Sequence, residues 1–192
     1  MKSKKVALIN LGCSKNLVDA EEMIGRIADS GSTICQYPED AEVLIINTCG
    51  FINDSKKESI DTILKAAKLK ENAQCKKLIV TGCLAQRYSN ELKDEVPEID
   101  HVVGLKDFTT LTELSGSGRK KGKQHPSQCN DDWRNRIRLT PSHYAYLRIS
   151  DGCDNRCSYC AIPGIRGRFS SRTMKNILEE AAQMAREGVK EV

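Results

Sequence analysis

The segment Val43-Leu-Ile-Ile-Asn-Thr-Cys-Gly50 decides the fold, because it joins a buried strand to a cysteine at the end of that strand. The unbroken run of leucine and β-branched residues from Val43 to Asn47 is typical of a strand that is covered on both faces. Such strands belong mostly to parallel sheets with helices packed on either side. The segment therefore predicts a central strand of an α/β domain.

Strand and helix patterns alternate on both sides of this segment. Three more strands are predicted, at Val6–Leu11, at Leu78–Thr81 and from Val102-Val103. Between them, apolar residues recur at helical spacing: Leu17, Ala20, Ile24, Ile27 and Ala28 in one helix, and Ile60, Ile63, Leu64 and Ala67 in the next. The stretch Ser55-Lys-Lys-Glu58 predicts a capping box that opens this second helix. The alternation predicts a doubly wound α/β domain with a mainly parallel sheet over residues 1–114.

The composition is that of an ordinary globular chain. Of its 192 residues, 39% are hydrophobic and 29% are charged, and no apolar run approaches the roughly 20 residues of a membrane span. The apolar start of the chain is short and reads as a strand, not as a secretion signal. Nine cysteines without such a signal indicate a reducing compartment, and we expect a cytoplasmic protein. The net charge of +4 permits contact with an RNA-rich partner without demonstrating one.

Residues 115–138 interrupt the alternation and predict a flexible basic linker. Its basic residues Arg119, Lys120, Lys121 and Lys123 are of a type that contacts phosphate. A solvated tether is the favoured interpretation, because no aromatic residues are interleaved for base stacking.

A second domain is predicted from residue 139 to residue 192. Tyr144–Ile149 predicts a strand that leads into a cysteine-rich loop, and Arg172–Glu187 predicts a helix with Ile177, Ala181 and Met184 on one face. Gly188 is a predicted helix stop, and Lys190–Val192 would begin another strand. Because a strand–loop–helix unit cannot bury both of its faces, we expect this domain to be truncated near its start.

Cys153, Cys157 and Cys160 lie on that loop with the spacing Cys-x3-Cys-x2-Cys. Three close thiolates can hold three irons of a 4Fe–4S cluster and leave the fourth iron open to a substrate or cofactor. Zinc is the alternative, although it prefers paired cysteines and four ligands. The sequence offers no fourth cysteine or histidine close to the loop.

A second set of cysteines shares a position at the ends of predicted strands. Cys13, Cys49 and Cys83 each close an apolar strand, with Gly12, Gly50 and Gly82 beside them. Loops at the carboxyl ends of parallel strands converge on one crevice, so these thiols predict a second cluster site. The alternative is that each is a small buried residue, as free cysteines often are. The remaining cysteines, Cys35, Cys75 and Cys129, lack this context.

The cysteine loop after a strand resembles the radical S-adenosylmethionine superfamily. The resemblance implies that the open iron of the Cys153, Cys157 and Cys160 cluster binds S-adenosyl-L-methionine. Tyr159 matches the aromatic residue that precedes the last cysteine and packs beside the adenine, although plain loop packing would also account for it.

The chain is also similar to the methylthiotransferases, on several motifs that together cover nearly all of it outside the linker. Ile162-Pro-Gly-Ile-Arg-Gly-Arg-Phe-Ser-Ser-Arg172 looks like their Ile/Val-Pro-x-x-Arg-Gly-x3-Ser-Arg signature. Leu11-Gly-Cys-Ser-Lys-Asn-Leu-Val-Asp-Ala-Glu21, Asn47–Ile52 and Leu139–Ser150 resemble the branch that modifies a ribosomal protein more than the branch that modifies tRNA. In this family Cys13, Cys49 and Cys83 match the ligands of a second 4Fe–4S cluster.

The resemblance implies a reaction and its partners. One S-adenosyl-L-methionine would methylate a sulfur at the amino-terminal cluster, and a second would yield a 5′-deoxyadenosyl radical. The methylthio group would be added to the β-carbon of an aspartate in a small-subunit ribosomal protein, with flavodoxin or ferredoxin as the electron donor and no membrane involved. The family continues through a partial (β/α) barrel and a substrate-docking domain, so we expect the 192 residues alone to be inactive.

Three other functions stay open at this point. A tRNA adenosine methylthiotransferase is the nearest, with tRNA as its partner. A non-enzymatic iron–sulfur module and a zinc-binding module belong to other classes. Electron carriers usually ligate every iron of a cluster, which argues against the iron–sulfur module.

Overall fold

The computed structural model describes residues 3–72, 74–105, 107–116 and 133–192. Within these ranges, the first domain contains a five-stranded parallel sheet with the strand order β2-β1-β3-β4-β5. The predicted doubly wound α/β fold is confirmed. Residues 117–132 of the predicted linker, with Cys129, lie outside the described residues.

The strands and helices of the first domain alternate along the chain. The strands are β1 (Lys5–Asn10), β2 (Thr33–Ile34), β3 (Val43–Thr48), β4 (Lys77–Gly82) and β5 (His101–Val102). The helices are α1 (Ser14–Asp29), α2 (Asn53–Asn72), α3 (Cys83–Arg87), α4 (Ser89–Glu95) and α5 (Phe108–Ser115). In the part of the chain that the structure describes, no helix combines the length and apolar character needed to cross a bilayer.

Alternate residues of the central strands feed two cores, one on each face of the sheet. Leu44, Ile46, Leu78 and Val80 pack with α2, α3 and α4 on one face. Val43, Ile45 and Ile79 pack with α1 and α5 on the other. Because β3 is buried along its whole length, it fulfils the prediction made from Val43–Asn47. This arrangement leaves the carboxyl ends of the strands at one edge of the domain.

Two details of α2 differ from the prediction. The helix begins at Asn53, so Ser55 and Glu58 lie inside it and do not form the predicted capping box. Ile63 and Ala67 are buried as predicted, whereas Ile60 and Leu64 are exposed. Ala66 completes the buried side instead, because the sheet contacts a narrower stripe of the helix than the apolar pattern indicates.

The second domain contains β6 (Ser150–Asp151), α6 (Ile162–Arg166), β7 (Ser170–Ser171) and α7 (Met174–Arg186). Strands β6 and β7 pair in antiparallel fashion. Helix α7 confirms the predicted helix, and Gly188, with a φ of 86°, follows its end as expected. Met184 is buried, whereas Ile177 and Ala181 are half-buried, since the most buried side of α7 also carries Asn176 and Glu180.

The predicted strand Tyr144–Ile149 is wrong. Only Tyr144 makes a bridge, in parallel with Glu191, and the following residues are irregular. The physical reason lies in the carbonyl groups of Tyr146 and Arg148, which accept hydrogen bonds from arginine side chains. Arg136 donates to the carbonyl of Tyr146 at 2.8 Å, and Arg172 donates to that of Arg148 at 2.7 Å.

Candidate functional site

The first cysteine set lies at the carboxyl edge of the parallel sheet. Thr48 at the end of β3 is paired with Gly82 at the end of β4, so Cys49 and Cys83 follow directly after residues in register. Cys13 follows β1 and immediately precedes α1. Cys13 is exposed, whereas Cys49 and Cys83 are buried. The topology thus brings three residues that are distant in sequence to the same edge.

Glycines allow the three loops to approach one another closely. Gly12 has a φ of 93°, and a Cβ atom added there would lie 2.7 Å from the Cβ and 2.9 Å from the Sγ of Cys49. Gly82 has a φ of 96°, and its added Cβ would lie 2.4 Å from the carbonyl oxygen of Thr48. A side chain at either position would clash with the neighbouring loop. It would also be strained, because L residues rarely adopt such φ values.

The fully buried side chain of Asn16 ties the three loops together. Its Nδ2 donates to the carbonyls of Leu11 and Thr48, both at 3.0 Å. Its Oδ1 lies 3.2 Å from the Sγ of Cys83, close enough to accept from the thiol. One amide therefore contacts the loops that follow β1, β3 and β4.

The thiol of Cys83 lies in a low-dielectric and charged environment. Burial raises the pKa of Cys83 to about 11, Arg166 opposes that rise, and Cys49 adds to it. Because metal-bound cysteine is a thiolate, binding at this residue would release a proton.

The second cysteine set lies on the loop between β6 and α6. Cys153 and Cys160 are half-buried, and Cys157 is exposed. The amide of Cys153 donates to the carbonyl of Gly167 at 3.1 Å, and that of Cys160 donates to Cys157 at 3.1 Å. A cavity of about 360 Å³ adjoins the loop, lined by Cys153, Asp154, Asn155, Arg156, Pro163 and Arg168. The side chain of Tyr159 is 90% exposed.

The donor chemistry of both sets fits iron–sulfur clusters. Each set offers three free thiols, which is the ligand type that such clusters use. Among the described residues, no three His, Cys, Asp or Glu side chains converge closely enough to hold a single metal ion. A four-iron cluster does not require that convergence, because each thiolate binds a different iron.

Sequence reasoning missed a buried polar interface between the two domains. Helix α1 presents three buried carboxylates, and arginines from the second half of the chain face them. Arg136 donates to Glu21 at 2.7 Å, Arg148 donates to Asp19 at 2.5 Å and also to Glu22, and Arg166 donates to Asp19 at 2.8 Å. On α7, Glu180 accepts from Arg136 at 2.9 Å and from Arg172 at 2.5 Å. The available signal was the acidic residues beside the apolar stripe of α1.

Two parts of the chain match known protein families. Residues 5–104, which contain Cys13, Cys49 and Cys83, match the description "Uncharacterized protein family UPF0004". That match covers more than half of the chain. The chain belongs to the UPF0004 family. In this UPF0004 chain, residues 147–192, with the second cysteine set, match the radical SAM superfamily.

Curated relatives extend over both parts of the UPF0004 chain. It is 47% identical over 193 residues to the ribosomal protein uS12 methylthiotransferase RimO of Clostridium tetani (strain Massachusetts / E88), covering 98% of the chain and 43% of that protein. The proteins of the same name from Clostridium botulinum (strain Langeland / NCTC 10281 / Type F) and Caldicellulosiruptor saccharolyticus are 45% and 46% identical. The two alignments include 100% and 98% of this chain, respectively, and each covers 44% of the relative. The chain thus spans less than half the length of these relatives, and the resemblance to the methylthiotransferases is confirmed.

Proposed function

We propose that this chain carries both cysteine sites of an enzyme that adds a methylthio group to ribosomal protein uS12. Two relatives with that activity in their names are 47% and 45% identical to this chain over nearly its whole length. This identity supports assigning the same activity to the protein that contains the chain. We further propose that the modified atom is the β-carbon of an aspartate in this small-subunit protein.

The observation that carries the proposal is the presence of two separate three-cysteine sites in one chain. Cys13, Cys49 and Cys83 lie at the sheet edge, and Cys153, Cys157 and Cys160 lie on the loop after β6. We propose that each set binds a 4Fe–4S cluster with one iron lacking a protein ligand. Two such open sites argue against an electron carrier, because electron carriers usually ligate every iron of a cluster.

The residues around the second site have distinct roles in this proposal. When bound, the clusters and S-adenosyl-L-methionine would supply the radical and the sulfur needed at an unactivated carbon. The exposed ring of Tyr159 is available to stack on the adenine of S-adenosyl-L-methionine. The hydrogen bond from Cys153 to Gly167 fixes the start of the ligand loop.

The partners and domain limits are part of the same proposal. A small reducing protein such as flavodoxin or ferredoxin would supply electrons, and the thiols favour the reducing cytoplasm. We propose domains at 1–114 and 139–192 with a linker at 115–138. Little turnover is expected from the 192 residues alone, because they align with less than half of each relative.

Chromosomal variants test the substrate assignment. Cys83→Ala and Cys157→Ala should each abolish the methylthio group on uS12, because each removes a ligand from one proposed cluster. Intact-mass and peptide analysis of uS12 from ribosomes measures that loss. Cys35→Ala is the matched control, since Cys35 is half-buried and lies outside both sets. Retention of the group on uS12 in the site variants, with its loss from tRNA adenosine, would overturn the proposal in favour of a tRNA enzyme.

A further inference from the structure

A buried arginine connects the two cysteine sites. Arg166 lies at the end of α6 and is 4% exposed. Its Nη2 donates to the Oδ2 of Asp19 at 2.8 Å and to the Oδ1 of Asn16 at 3.0 Å, both in the sheet domain. Its Nη1 donates to the Oδ1 of Asp151 at 3.4 Å, two residues before Cys153. The guanidinium therefore bonds to residues beside both sites.

The same guanidinium contacts a proposed cluster ligand directly. The Nη2 of Arg166 lies 3.8 Å from the Sγ of Cys83, in hydrogen-bonding range for sulfur. Arginine stays charged in proteins, so the contact places a permanent positive charge beside this sulfur. Asp19 pairs with one terminal nitrogen of the guanidinium and Asp151 with the other, which holds the charge in place.

We propose that Arg166 is a positioning residue shared by the two sites: its charge acts on the sulfur of Cys83, and its fork anchors the loop that starts at Cys153. This inference rests on the proposed function, in which Cys83 is a ligand of an iron–sulfur cluster. Net charge and hydrogen bonds to the sulfurs set the reduction potential of such clusters. The charge of Arg166 favours the reduced form, which is the more negative one.

The potential of the amino-terminal cluster tests the electrostatic part. The measurement uses the 192-residue chain with Cys153, Cys157 and Cys160 changed to alanine, here named the single-site chain, so that only one cluster contributes. Arg166→Gln should lower the midpoint potential of this cluster. A redox titration followed by electron paramagnetic resonance measures the potential. Arg166→Lys should restore most of it, because lysine keeps the charge. Arg186→Gln is the matched control, since Arg186 is exposed on α7, and it should leave the potential unchanged.

Hydrogen exchange in the metal-free native chain tests the anchoring part. The amide of Cys153 donates to Gly167, the residue after Arg166. Lysine lacks the planar guanidinium of arginine, so it cannot bond to the carboxylates of Asp19 and Asp151 in the same way. Arg166→Lys should therefore speed exchange at Cys153 by about tenfold, the effect of losing one charge-assisted hydrogen bond. Arg186→Lys should not change it.

The outcomes separate this inference from the proposed function. A single-site chain that retains no iron and sulfide would contradict the function and the role of Arg166 with it. A loaded chain whose potential is the same with Arg166→Gln, or shifts equally with Arg186→Gln, would overturn only the role of Arg166. If the glutamine variant fails to load, the exchange rate decides, and an unchanged rate at Cys153 in Arg166→Lys would overturn the inference.

Discussion

Gly12 controls how closely the Cys13 loop can approach Cys49. Its φ of 93° lies in the left-handed region, and the space that a side chain would need is filled by Cys49. Two costs therefore add at this position, namely backbone strain and a clash with a neighbouring thiol. The sequence shows a glycine beside Cys13, but only the structure identifies the group that it approaches.

A set of glycine-to-alanine changes separates these costs. Gly12→Ala should lower the free energy of unfolding by at least about 1–3 kcal/mol, from the backbone strain alone. Gly188→Ala, with a φ of 86° but nothing within 4 Å, should show strain without a clash. Gly164→Ala has open space and no unusual φ and should be neutral or slightly stabilising. Urea unfolding measures all three, and equal losses at Gly12 and Gly164 would contradict the account.

Helix α1 does more than cover the sheet. One side packs Met23 and Ile27 into the core. Another carries the buried carboxylates that accept hydrogen bonds from Arg136, Arg148 and Arg166. Burial raises the pKa of Glu22 while Arg148 opposes that rise, so the cluster balances desolvation against ion pairing. The helix is thus one of the elements on which the two parts of the chain meet, together with α3, where Cys83 packs near Ile165 of α6.

Glu21 is the most enclosed of these carboxylates, with 0% exposure. It accepts from Arg136 at 2.7 Å and from the amide of Leu139 at 2.7 Å. Glu21→Gln should lower stability by about 3–5 kcal/mol, because it leaves part of the buried guanidinium charge uncompensated. Calorimetry or urea unfolding measures the loss.

The control for this change is Glu179→Gln on α7. Glu179 pairs with Arg134, and both side chains are well exposed, at 40% and 59%. Screening by water limits such a pair to about 1 kcal/mol or less. Comparable losses for the two variants would show that the α1 interface adds no more than a surface ion pair.

At the scale of the whole molecule, the sheet domain was predictable and the interface was not. Continuous apolar runs predicted β3 and β4. Because parallel strands share one carboxyl edge, the sequence also predicted that Cys13, Cys49 and Cys83 lie at the same edge of the sheet. The irregular course of residues 145–149 escaped prediction, because arginine side chains from other parts of the chain take up the carbonyl groups of Tyr146 and Arg148. Spacing rules describe local periodicity and carry no information on such contacts.

The same limit applies to the candidate sites. Spacing predicted Cys153, Cys157 and Cys160 as one ligand set, and position at strand ends predicted Cys13, Cys49 and Cys83 as the other. The proposed roles of Asn16 and Arg166 depend on contacts across 67 and 83 residues of chain to Cys83. Charged residues on a helix normally lie at the surface, so a buried guanidinium beside a thiol has no signature in composition. Arg166 stood out in the sequence only as part of a motif.

Iron, acid-labile sulfide and zinc per chain, after anaerobic reconstitution, test the central claim that one chain holds two separate cluster sites. We predict about eight irons with matching sulfide, from two four-iron clusters. Changing Cys153, Cys157 and Cys160 to alanine should leave about four irons, those of the amino-terminal site. Zinc without sulfide, or an iron content unaffected by those changes, would contradict the account.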